Sequence, residues 1–95
     1  MAGTVPISDV VPLGQWVLAY HNFQTRLERL LRKSGKSVYD FHVEKLGPET
    51  SPGVWERLGC HVYVQAQTVS LEVPETTRPG TAMKAFDSYQ QALLN

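Results

Sequence analysis

The stretch from Cys60 to Pro74 restricts the fold more than any other part of this chain. Its apolar and polar residues alternate, but the phase of the alternation changes between Ala66 and Val69. Because successive side chains of a strand point to opposite faces of a sheet, one straight strand would place these apolar residues on both faces. The chain must therefore turn back or bulge near Gln67–Thr68. A tight turn would need positive φ at residues other than glycine, so both alternatives are kept.

Two segments have the apolar spacing of amphipathic helices. The first begins at Leu13, and we expect it to end at Ser34–Gly35 because glycine tolerates the left-handed conformation that closes many helices. The second follows Thr81, which the sequence predicts as its N-cap. Its apolar residues are Ala82, Ala85, Phe86, Tyr89, Ala92 and Leu93.

Two further segments have strand-like patterns. Residues 37–46 alternate in polarity, and residues 54–58 form a second short run. The intervening residues 47–53 are rich in proline and glycine, so we expect an antiparallel hairpin here. Gly59 is predicted to form a bulge before Cys60.

These elements predict an α+β fold in the order α-β-β-β-α. Two amphipathic helices would pack on one face of an antiparallel sheet of three strands, with a fourth strand allowed. Residues 13–95 are assigned to a single domain. Residues 1–12, which contain Pro6 and Pro12, are assigned to an N-terminal arm.

Size and composition exclude several classes of protein. The chain has 95 residues, nine basic and nine acidic side chains and one cysteine. A single cysteine cannot form an intramolecular disulfide, which excludes a disulfide-stapled scaffold. The balanced charge lowers the expectation of nucleic-acid binding. The first residues do not resemble a secretory signal, and no segment is apolar enough to cross a bilayer, so we expect a cytoplasmic protein without membrane association.

Cations cluster near the end of the first predicted helix. Residues 26–36 contain five of the nine basic side chains and a single acid, Glu28. Such a cluster can bind phosphates or an acidic protein, or it can simply offset the helix dipole. Arg32 belongs to the cluster, and the other four members form a predicted exposed row that we call the basic stripe: Arg26, Arg29, Lys33 and Lys36.

The polar side of the predicted sheet is a second candidate binding surface. It would carry two large aromatic side chains among uncharged polar ones, a composition that suits contact with another protein. Packing over the first loop is the alternative for the aromatic residues. The candidate contact residues are Trp55, His61, Tyr63 and Gln65.

The sequence predicts no catalytic, metal or cofactor site. Cys60 and His61 are adjacent on a strand and so point to opposite faces, which prevents a nucleophile–base pair. His42 and His61, with Asp40 or Glu44 beside His42, could bind a metal only if the hairpin register brought them together. No ligand-spacing motif supports this, and a solvated sheet face is the simpler interpretation of the same residues.

We therefore expect a small non-enzymatic protein–protein interaction module, such as an adaptor, an accessory subunit or an inhibitor of a larger assembly. A homodimer through the open sheet face or an edge strand is compatible with this expectation. The alternative is an RNA- or DNA-binding module that uses Arg26, Arg29, Arg32, Lys33 and Lys36.

Overall fold

A computed structural model describes residues 3–95 of the protein. They form a four-stranded antiparallel sheet and three α-helices, which confirms the predicted α+β class and uses the fourth strand that the prediction allowed. A short 3₁₀ helix, Ile7–Asp9, follows the first strand. The elements are β1 (Thr4–Pro6), α1 (Leu13–Ser34), α2 (Val38–Leu46), β2 (Val54–Arg57), β3 (Cys60–Gln65), β4 (Thr68–Pro74) and α3 (Pro79–Leu94).

The strands lie in the spatial order β1-β4-β3-β2. Val62 lies between Trp55 and Leu71 in register, so these three side chains share one face of the sheet. All three are buried, and the helices cover this face. The opposite face has no helix packed on it within residues 3–95. The sheet therefore has one packed face and one open face.

The segment 37–46 contains the helix α2 (Val38–Leu46), so the strand predicted there is wrong. Ser37 is the N-cap of α2, and its hydroxyl accepts a hydrogen bond from the Asp40 backbone N–H. Val38, Phe41 and His42 are the buried residues of α2, at the i, i+3 and i+4 spacing of a helix face. The same short segment also fits the two-residue alternation of a strand. The Ser37 N-cap stabilises the start of a helix and so favours the helical pattern.

Both turns between strands are two residues long. Arg57 pairs with Cys60 across Leu58–Gly59, whose φ angles of 51° and 85° are both positive, as a type I′ hairpin turn requires. Gly59 is thus part of a turn and not a bulge. The next hairpin turns at Ala66–Gln67, where Ala66 has a φ of 55°. The phase change in the sequence is therefore a turn, one residue earlier than Gln67–Thr68.

Residues 4–11, which the sequence assigned to an arm, are built into the fold. β1 pairs with Glu72–Pro74 of β4, and the side chains of Ile7 and Val11 are buried in the core. Met1 and Ala2, the first two residues of that predicted arm, lie outside the described residues.

Both long helices were predicted, α1 with the correct ends and α3 with a start that is too late. Gly35 closes α1 with a φ of 71°, which confirms the predicted end. The centre of its buried face is Phe23, whose ring packs edge-on against Phe86 and at a tilt against Tyr89, both in α3. Arg78 and not Thr81 is the N-cap of α3, because Pro79 occupies the first helical position. No helix within residues 3–95 combines the length and the apolar character that a membrane span requires.

Candidate interaction surfaces

The basic stripe is shorter than the sequence predicted. Arg26, Arg29 and Lys33 are exposed on the side of α1 that faces away from the core. Lys36 lies beyond the helix end at Gly35 and forms a salt bridge with Glu44 of α2. The structure therefore separates Lys36 from the other three cations of the stripe.

His61, Tyr63 and Gln65 lie on the open face of the sheet, as predicted. His61 and Tyr63 are half-buried between neighbouring strands, and Gln65 is exposed. We call this surface the open sheet face, and strand register assigns it the side chains of Thr4, Pro6, Val54, Glu56, His61, Tyr63, Gln65, Thr68, Ser70, Glu72 and Pro74.

The open sheet face has an uncharged centre and a charged row beside it. Tyr63 lies between Val54 and Ser70 on the neighbouring strands. His61 lies in the next row between Glu56 and Glu72, and its Nδ1 is 3.9 Å from a Glu56 carboxylate oxygen. The face thus offers one large aromatic contact next to two carboxylates and an imidazole.

Trp55 does not lie on the open sheet face, so its prediction as a partner contact is wrong. It is 3% exposed, and its indole N–H donates to the Gly47 carbonyl oxygen at 3.0 Å. Because Arg57 pairs with Cys60, Trp55 is placed opposite Val62 on the packed face. If Leu58–Gly59 had been recognised as a two-residue hairpin turn, the sequence would have placed Trp55 on the packed face.

His42 is a buried core residue and cannot share a metal with His61. Its Nδ1 donates to the Val38 carbonyl oxygen at 2.8 Å, and its Nε2 accepts from the Tyr89 hydroxyl at 2.6 Å. The carbonyl can only accept, so the proton is on Nδ1. Burial lowers the pKa of His42, partly offset by the Val38 carbonyl. Among residues 3–95 no group of three His, Cys, Asp or Glu is arranged to hold a metal ion.

Cys60 lies on the packed face, as its position in the alternation predicted. Its side chain is fully buried, and burial raises the pKa of the thiol to about 12. The nucleophilic form of cysteine is the thiolate, which this environment strongly disfavours. His61 points to the opposite face, so no imidazole on β3 can act as its base.

A groove between α1 and β4 was not predicted. It consists of two adjoining depressions of about 190 and 230 Å³ that share Tyr20 and Val69 in their walls. The Tyr20 hydroxyl donates to the Val69 carbonyl oxygen at 3.0 Å between them. Leu13 and Val17, which are 65% and 55% exposed, precede Tyr20 at helical spacing and extend the same side of α1. We call this the α1–β4 groove.

Comparison with models of protein families, with curated proteins and with solved structures finds no match to this chain. The functional argument therefore rests on the surfaces themselves.

Proposed function

We propose that this chain is a small non-enzymatic protein–protein interaction module that binds its partner through the open sheet face. One observation carries the proposal: all three helices pack on one face of a four-stranded sheet, and the other face stays uncovered within residues 3–95. A sheet that buries only one face commonly leaves the other to water or to a partner.

The composition of the open sheet face supports a protein partner. Tyr63 brings a large, rigid contact surface that loses little side-chain entropy on binding, and tyrosine is common among the residues that dominate interface energies. The row Glu56, His61 and Glu72 would lie beside it, where charged groups set orientation and association rate more than affinity. An adaptor, an accessory subunit and an inhibitor of a larger assembly all use a surface of this kind.

The engagement of the titratable core groups also supports a non-enzymatic role. His42 has both ring nitrogens in hydrogen bonds within the core, and Cys60 is buried with a raised pKa. Every buried side-chain nitrogen or oxygen of residues 3–95 has a hydrogen-bond partner. Both ring nitrogens of His42 are thus occupied within the fold, and the Cys60 thiol is kept protonated inside the core.

The test uses two substitutions of the same kind on different surfaces. Gln65→Arg changes the open sheet face, and Gln91→Arg makes the same change at an exposed position of α3. We expect the wild type and Gln91→Arg to capture the same protein from native lysate, quantified by mass spectrometry, and Gln65→Arg to lose it. Equal unfolding midpoints verify that neither variant is misfolded. Capture of the same protein by all three forms would disprove the assignment to this face.

Nucleic-acid binding is a second candidate because four cations of α1 have no salt-bridge partner within residues 3–95. Arg26, Arg29, Arg32 and Lys33 are exposed, and none forms a salt bridge within residues 3–95. Binding to duplex or single-stranded nucleic acid would weaken steeply as the salt concentration rises. On B-DNA, the slope of log K against log salt concentration is about −0.9 for each phosphate contact. The absence of binding at low salt, or binding that survives charge reversal at Arg29 and Lys33, would exclude this candidate.

A further inference from the structure

Leu58, at the tip of the hairpin between β2 and β3, is the most exposed large hydrophobic side chain of residues 3–95. Its side chain is 73% exposed and takes no part in the hydrophobic core. Leu13 and Leu18 of α1 follow at 65%. Single apolar side chains are common on protein surfaces, so exposure alone has no functional meaning here.

The backbone of Leu58 is also in a conformation that leucine rarely adopts. Its φ of 51° belongs to the first position of a type I′ turn, where asparagine, aspartate and glycine are preferred because a larger side chain crowds the backbone. Among residues 3–95 the only other non-glycine residue with positive φ is Ala66, whose side chain is a methyl group. Leu58 therefore weakens the fold through its backbone and also exposes apolar surface. A strained residue of this kind persists where function needs it.

The turn that carries Leu58 is held in place on both sides. Arg57 and Cys60 pair across it, and the Cys60 side chain is fully buried. The Arg57 Nε also donates to the Ser88 hydroxyl oxygen of α3 at 3.1 Å. Because the turn is already ordered in the free protein, a contact at Leu58 loses little conformational entropy on binding.

Leu58 lies at one end of the open sheet face. Glu56 and His61, which belong to that face, form the pair next to Arg57 and Cys60. A strand rises about 3.3 Å per residue, so the turn begins within about 7 Å of the Glu56–His61 pair. A partner that covers the open sheet face can therefore also reach Leu58.

A second copy of this chain does not fit this contact. A two-fold interface brings identical patches together, and two hairpin tips alone would bury far less than the roughly 1,000 Å² of a stable interface. A larger pairing would place two open sheet faces against each other. The formal charges on each face are those of Glu56 and Glu72, and the register assigns it no lysine or arginine. The like charges of two such faces oppose their association.

We propose that Leu58 is the apolar anchor of the partner contact and inserts into an apolar pocket of a different protein, which also covers the open sheet face. This inference rests on the proposed function and adds to it the shape of the partner, which must be concave and apolar opposite the hairpin tip. Burial of the leucine side chain in that pocket supplies binding free energy that the exposed side chain of the free protein does not realise.

The experiment uses three variants besides Gln65→Arg. Leu58→Asn removes the apolar side chain and introduces the residue that the turn favours. Leu18→Asn makes the same substitution at a similarly exposed leucine of α1. Leu58→Met keeps an apolar side chain at the tip. The protein that wild type captures from native lysate and Gln65→Arg loses is identified by mass spectrometry, purified and titrated with each variant.

We expect Leu58→Asn to raise the thermal unfolding midpoint by roughly 2–6 °C, because asparagine relieves the strained turn. The same variant should bind the captured protein roughly 10- to 100-fold more weakly, as the loss of a buried leucine predicts. Leu18→Asn and Leu58→Met should bind within about 2-fold of wild type. A variant that is more stable and binds more weakly cannot owe the weaker binding to misfolding.

Four results would overturn the anchor. They are wild-type affinity in Leu58→Asn, no rise of its unfolding midpoint, equal weakening by Leu18→Asn, and a wild-type dimer in light scattering that Leu58→Asn dissociates. The first of these, with capture still lost in Gln65→Arg, removes the anchor and leaves the proposed function intact. If no captured protein depends on Gln65, the proposed function and the anchor fail together.

Discussion

The His42 imidazole links α2 to α3 in the core. It donates to its own helix through Val38 and accepts from Tyr89, while its ring stacks against the Tyr89 ring. Burial lowers the pKa of His42 and raises that of Tyr89 well above its usual value. Both shifts favour the neutral side chains that this hydrogen bond needs, so the pair stabilises the fold only while His42 is unprotonated.

The lowered pKa of His42 predicts a loss of stability in weak acid. Unfolded histidine titrates near pH 6.5, so on acidification the unfolded chain takes up this proton before the folded chain does. The contribution of neutral His42 to the free energy of unfolding is complete above about pH 7. It is lost as the pH falls through the lowered pKa of His42, by at most about 1.4 kcal/mol per pH unit. Urea unfolding at a series of pH values measures this dependence.

The control replaces an exposed histidine. His21→Gln, on the surface of α1, should retain the wild-type dependence of unfolding free energy on pH. His42→Gln should be less stable at pH 8 and should show a flatter dependence below pH 6.5. An unchanged pH slope in His42→Gln would mean that another group carries the effect.

At the scale of elements, the loop between α2 and β2 is held against the sheet by Gly53. This residue has a φ of 74°, and a Cβ atom there would lie 2.9 Å from the Val64 carbonyl oxygen. The Val64 N–H donates to the Gly53 carbonyl oxygen at 2.8 Å, so the backbones already approach closely. Only glycine satisfies both the backbone angle and this contact.

Gly53→Ala should therefore destabilise the protein by about 1–3 kcal/mol, the usual range for a strained backbone conformation. Gly14→Ala is the matched control, because Gly14 lies in α1 with no atom within 4 Å of a Cβ placed there. This control should be neutral or should stabilise the protein by up to about 1 kcal/mol, since alanine favours helices. Chemical unfolding of the two variants measures both values, and equal effects would contradict the close contact at Gly53.

The lengths of the helices explain which of them the sequence could predict. α1 has 22 residues and α3 has 16, so their apolar spacing repeats over several turns and identified both helices. α2 has nine residues, which is short enough to fit a strand pattern as well. The face of Trp55 depended on the register of β2, and that register follows from the turn at Leu58–Gly59.

The α1–β4 groove could not be predicted because it depends on distant parts of the chain. The Thr4 hydroxyl donates to Glu72, 68 residues later in the sequence, where β1 pairs with β4. The point at which β1 stops decides how much of the β4 edge is free. Local patterns do not contain this information, whereas the β3 members of the open sheet face, His61, Tyr63 and Gln65, followed from the local alternation.

The whole molecule presents different chemistry on different sides. The open sheet face has an aromatic centre, the α1–β4 groove is lined by both apolar and polar side chains, and the outer side of α1 is basic. The net charge is zero because nine basic side chains balance nine acidic ones over the whole chain.

The central claim is that the open sheet face contacts the partner. The most direct measurement places a photo-crosslinking benzoylphenylalanine at Tyr63, in the centre of that face, or at Lys84, an exposed position of α3. After irradiation in native lysate, we predict a covalent adduct of defined mass from the Tyr63 position and none from the Lys84 position. An adduct formed only from Lys84, or none from either position, would contradict the claim.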